Sequence, residues 1–177
     1  MEAGFRQILK RLPFAVKELH PDNGSEFFNN HLVRFWGETI TGLKLSRSRP
    51  YQKNDNRFVE QKNDTLVRQS FGTSRLETPE QGEAMNGLDE KMWLYDHFFQ
   101  PVMHLQEKIC QGDKVIRPWD QAQTPYQRVV ASAPLGNEQM LRLQTLYEQT
   151  NPMMLRKEIY RLLAALRELA QAVTSVA

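Results

Sequence analysis

Apolar residues recur along this chain at two different periods, and the change of period divides it. Phe5, Ile8, Leu9 and Leu12 fall at helical spacing and predict a short helix over residues 4–12. Pro13 ends it, and "FAVKEL" carries residues suited to a strand that leads into His20. The Asn23-Gly24 pair then marks a sharp turn. Phe28, Leu32, Phe35, Trp36 and Ile40 line one face of a predicted helix from about Asn29 to Thr41, with Asn29 or Asn30 as its N-cap. Gly42 ends that helix, and "GLKLSRS" reads as a second short strand. "RPYQKNDN" is a polar loop in which Asp55 or Asn56 can cap a further helix running to about Phe71. Helices alternating with strands point to an α/β layer.

After Gly72 the pattern is helical. "TPEQ" at 78–81 combines a Thr N-cap, Pro at the first helical position and Gln at the third. The helix it opens places Leu88, Met92, Tyr95 and Phe99 on one stripe. Pro101 is expected to restart the helix, with Val102, Leu105 and Ile109 on one face and an end near Gly112. Residues 113–136, with Pro118, Pro125 and Pro134, read as an irregular connection. Two more helices are expected, at roughly 137–149 and 152–173. The last follows Asn151-Pro152 and is striped by Leu155, Ile159, Leu162, Leu163, Leu166 and Leu169. The expected organisation is an α/β piece over 1–72 and an all-α region over 73–177.

Composition narrows this picture without redirecting it. The 177 residues, 40% hydrophobic and 25% charged, are those of a soluble globular protein. No apolar run approaches the roughly 20 residues of a membrane span. The N-terminus lacks the layout of a signal peptide. Cys110 is the single cysteine, which excludes an internal disulfide or a cysteine metal cluster and suits a reducing cytoplasm. The net charge of +2 is too small to announce a nucleic-acid binder, so local distribution matters more. Lys44, Arg47, Arg49, Lys53 and Arg57 form such a local concentration, interleaved with Tyr51 and Phe58. On a loop they could meet phosphates and a splayed base.

The candidate chemistry centres on two acids. Asp22 follows a strand end, where α/β layers face their ligands, and Glu60 lies near a helix start with 37 residues between them. Two such carboxylates can hold Mg²⁺ or Mn²⁺, and a pair of these ions can drive phosphodiester chemistry. As a residue by itself, Asp22 fits better as an Asx-type turn residue before Asn23-Gly24. Asp64 and Arg68 read as an i,i+4 ion pair, Glu26 as part of the turn, and His20, His31, His97 and His104 show no ligand spacing.

The words around the two acids are more specific. "HPDNGSEFFNNHL" followed by "SRPYQKNDNRFVEQKNDTLVRQSFG" resembles the catalytic core of DDE transposases and retroviral-type integrases, in particular bacterial insertion-sequence transposases. The resemblance covers residues 13–72 and extends, less specifically, through "TPYQRVVAS" and "NPMMLRKEIYRLLAAL". It implies an RNase H-like fold. It also implies that Asp22 is the second catalytic aspartate and Glu60 the catalytic glutamate, both ligands of Mg²⁺ or Mn²⁺. Lys62 and Arg68, on the Glu60 helix, would face DNA backbone together with the basic loop. The implied partners are DNA and further transposase subunits. The family's first aspartate has no counterpart, since Glu2 and Glu18 are the only acids before Asp22. The chain therefore looks like the C-terminal portion of such an enzyme, with the first strands of the sheet missing. The alternative is a non-catalytic DNA-binding or subunit-interaction module.

Overall fold

In the computed structural model the described residues are 2–21, 28–47, 78–112, 114–132 and 135–174, with side chains through 170. The predicted helix over 55–71 lies outside them. The chain forms two compact units, Met1–Thr73 and Ser74–Ala177, and both mix helix with strand.

The first unit is built as helix α1 (Glu2–Arg11), strand β1 (Glu18–Leu19), helix α2 (Asn30–Thr39) and strand β2 (Lys44–Leu45). β1 and β2 pair in parallel, Glu18 with Lys44 and Leu19 with Leu45, so α2 is the crossover of a βαβ unit. Asn29 caps α2 by accepting a hydrogen bond from the Leu32 amide at 2.9 Å. The apolar stripe of α2 supplies the core: Leu32, Phe35 and Trp36 are buried, with Phe5 and Leu9 of α1, Leu19, Ile40 and Leu43 packed against them. The Phe5 and Trp36 rings meet edge-on with centroids 4.4 Å apart, and the Arg6 guanidinium covers Phe35. Ile8, at the margin of the α1 stripe, stays exposed. Side chains alternate across the two strands. Leu19 and Leu43 therefore face the helices, while Glu18, His20, Lys44 and Ser46 fall on the opposite, polar face.

The second unit contains helix α3 (Pro79–Phe98), strands β3 (Ile109–Gln111) and β4 (Lys114–Ile116), and helices α4 (Pro125–Ser132), α5 (Asn137–Gln149) and α6 (Pro152–Thr174). α3 and α6 make its main helix pair, burying Leu88 of α3 and Leu155, Ile159 and Leu166 of α6. Leu155, Ile159 and Leu166 of the α6 stripe are thus used within the chain, while Leu169 stays exposed. Thr78 and Gln81 form the reciprocal cap of α3: the Gln81 amide donates to Thr78 Oγ1 and the Thr78 amide to Gln81 Oε1. Thr124 and Gln127 repeat the device at the start of α4 with the same T-P-x-Q spelling. Asn151 accepts from the amides of Met153 and Met154 to open α6.

Two expectations for this unit are overturned. Residues 101–112 are extended, not helical, so the region is not all-α. β3 and β4 form an antiparallel hairpin in register Ile109↔Ile116, Cys110↔Val115 and Gln111↔Lys114. Gly112, with φ +59°, begins the turn between the two strands. Val102 and Leu105 do recur at a helical interval, but they bridge to Gln123 and Trp119 on the returning strand. The β-branched residues Val115 and Ile116, with that turn, outweigh the helical spacing. Within the expected irregular connection, residues 114–132 are instead the return arm of the hairpin and then α4. Pro125 stands at the first position of α4, where its missing amide costs nothing.

Candidate functional site

Asp22 and Glu60 lie outside the described residues, as do Arg49, Lys53, Arg57, Lys62 and Arg68. What can be built is the ground they stand on. β1 ends at Leu19, three residues before Asp22, and the β1–β2 pair runs in parallel, so both strands present their C-terminal ends on one side. In open α/β layers that side forms the ligand crevice, because loops leaving the strand ends diverge there.

The polar face beside those ends is tied together by cross-strand contacts. His20 Nδ1 and Ser46 Oγ are 2.7 Å apart. Lys44 Nζ lies 3.5 Å from the Glu18 carboxylate. Hydrogen bonding by the Ser46 hydroxyl, and then the charge of Lys44, hold the Glu18 carboxyl below its ordinary range. Ser46 thus reaches both His20 and Glu18, fixing the relative height of the two strand ends. The ladder continues past the strands through the Ser46 amide, which donates to the Leu19 carbonyl at 3.0 Å.

Of the expected DNA-contacting cations, Lys44 and Arg47 are described. Lys44 is engaged with Glu18 in an exposed pair, a contact worth little against competing phosphate. Arg47 is stacked on the Phe28 ring with its guanidinium carbon 3.9 Å from the centroid. That contact joins the residue after β2 to the residue before α2 and orients the guanidinium while leaving its edge donors available. Among the described residues no three His, Cys, Asp or Glu side chains converge as a metal site. His20 and Ser46 were given no role on sequence grounds. Strand alternation places His20 with Glu18 and Ser46 with Lys44 on one face, but bringing the two pairs together takes the register of β1 and β2.

The second unit holds a further, half-buried polar cluster. Arg128 makes a two-pronged pair with Asp120, at 2.6 Å and 3.1 Å, and donates to the carbonyls of Val102 and Gln121. Asp120 also accepts from the His104 amide, and these bonds lower its carboxyl below the usual range, Arg128 contributing most. Among the described residues the partners of the Arg128 guanidinium are on the two arms that carry the hairpin, so the cluster clamps the hairpin base onto α4.

Compared with known proteins, the chain is 36% identical over 126 residues to the uncharacterized protein y4rM of Sinorhizobium fredii (strain NBRC 101917 / NGR234). The match covers 71% of this chain and 35% of that relative, so the chain spans about a third of the relative's length. No family model and no solved structure matches. Among the described residues no helix is long and apolar enough to cross a membrane.

Proposed function

We propose that this chain acts on DNA as the C-terminal portion of a DDE-type transposase or integrase, on an RNase H-like βαβ unit. The observation that carries the reading is the parallel β1–α2–β2 unit with the D-N-G word at the C-terminal end of β1. The C-terminal ends of strands are where open α/β layers meet their ligands, which supports a metal-binding role for an aspartate that follows β1 in sequence. Asp22 and Glu60 supply an all-oxygen donor set of the kind Mg²⁺ and Mn²⁺ prefer. Such ions, when bound, activate a nucleophile and stabilise the leaving oxygen in strand cleavage and transfer. Arg47, with Arg49, Lys53 and Arg57 following it, positions the phosphates, and Lys62 and Arg68 extend the cationic surface.

A second reading, a non-catalytic DNA-binding or subunit-interaction module, has its own support. Glu2 and Glu18, which precede Asp22 in this sequence, are both engaged: Glu2 with Arg6 and His31, Glu18 with Ser46 and Lys44. Neither replaces a first catalytic aspartate. The readings share DNA binding and part at cleavage. Duplex DNA binding by the purified chain is expected to weaken with salt and to be lost in an Arg47→Ala, Arg49→Ala, Lys53→Ala variant. Binding unchanged by those substitutions would overturn both. On supercoiled plasmid with Mg²⁺ or Mn²⁺, no nicking is expected from the chain alone. Nicking abolished by Asp22→Asn and by Glu60→Gln would instead establish an active enzyme.

A further inference from the structure

We propose that the β3–β4 ribbon is a second DNA-contacting element, one that grips the phosphate backbone of duplex DNA; this rests on the DNA-acting reading above. Val115 and Ile116 are neighbours on β4, point to opposite faces of the ribbon, and are 44% and 45% exposed. Neither face of the ribbon is therefore covered by other described residues. A lone two-stranded hairpin is marginal in water, yet this one is held firmly at its base. Gln106 donates to the Pro118 carbonyl, Asp120 donates to that of His104, and Arg128 pins Asp120. A half-buried ion pair thus anchors the base of a ribbon whose two faces are left uncovered.

Charge identifies what covers it. Segment 105–119 carries three cations, Lys108, Lys114 and Arg117, against two acids, Glu107 and Asp113. Among the described residues none of the three cations lies in an ion pair. Lys108 and Arg117 sit one residue beyond the Ile109↔Ile116 pair, side by side across the strands, where like charges repel. Cations along a ribbon edge also disfavour pairing with a second copy of that edge. A polyanion relieves both repulsions. The three paired rungs and the flanking cations span roughly 10 Å, and a two-stranded ribbon is of a size that the major groove admits. Trp119, 53% exposed at the foot of β4, supplies apolar surface to lie against the sugars.

The test is titration of labelled duplex DNA with the full chain at several salt concentrations, comparing wild type with Lys108→Ala, Lys114→Ala, Arg117→Ala and, separately, Trp119→Ala. These side chains are exposed, and thermal unfolding checks that the variants fold. The triple variant is expected to bind at least about tenfold more weakly at moderate salt, with the slope of log affinity against log salt reduced by about 2 to 3. Wild-type binding that the triple variant leaves unchanged, in affinity and slope, overturns the ribbon proposal and leaves the DNA-acting reading standing. No binding by wild type removes both. Sedimentation equilibrium supplies the other arm: a dimer dissociated by Trp119→Ala with DNA affinity intact would assign the ribbon to a second copy instead.

Discussion

Gln81 offers the sharpest test of how the second unit is held. Its side chain is 1% exposed, and each end of its amide has a separate task. Oε1 accepts from the Thr78 amide at 3.1 Å, closing the cap of α3, while Nε2 donates to the Leu169 carbonyl at 3.1 Å, tying α3 to α6. Gln81→Ala deletes both bonds and leaves a small void. Two net hydrogen bonds at about 1 kcal/mol each, with a cavity contribution, give a loss of about 2–4 kcal/mol. Thr78→Ala removes the reciprocal hydroxyl cap alone and should cost about 1 kcal/mol. Gln81→Glu separates the two tasks, since it keeps the capping acceptor but faces the Leu169 carbonyl with an oxygen that cannot donate when ionised. It should fall near Gln81→Ala at neutral pH and recover as the carboxyl protonates. Urea unfolding of the four proteins, followed by circular dichroism, supplies the numbers. A Gln81→Ala loss no larger than that of Thr78→Ala would refute the α3–α6 tie.

Two further outcomes follow from the packing and the ion pairs. Leu32, 1% exposed at the centre of the first unit, should cost about 2–5 kcal/mol on truncation to Ala, read by urea unfolding; a loss under about 1 kcal/mol would mean that the βαβ core is not packed as described. Asp120 has its folded pKa lowered from an ordinary 3.8 by Arg128 and the His104 amide, so its stabilisation is complete above that value and is lost as pH falls through the folded pKa. Asp120→Asn should therefore flatten the stability–pH curve below about pH 4, and an unchanged acid limb would contradict the clamp.

The elements announced by side-chain chemistry at their ends were readable in advance. Asn29, Thr78 with Gln81, and Asn151-Pro152 each mark a helix start, because orphan amides there need an acceptor wherever the helix packs. The apolar stripe of α2 located the core of the first unit for the same local reason. The hairpin was not readable from spacing. Val102, Leu105 and Ile109 stand three and four residues apart, which satisfies a helix as well as it does an interrupted strand. What decides the matter is pairing with residues up to 21 positions away, as in Val102 with Gln123, and spacing on one strand carries none of it. Pro125 misled in a similar way, since a proline breaks a helix from within and starts one at its first turn. On the site side, D-N-G marked the strand end, but the His20–Ser46 contact depends on the parallel register of β1 and β2 and could not be read before that register was known.

The central proposal is that Asp22 and Glu60, with 37 residues between them in sequence, share one metal ion. Paramagnetic broadening by Mn²⁺ in the amide NMR spectrum of the intact chain addresses it without requiring catalysis. Broadening is expected at residues adjoining Asp22 and at those around Glu60 together, and both sets should sharpen in Asp22→Asn. Broadening confined elsewhere, or at one of the two segments and unaffected by Asp22→Asn, would contradict it.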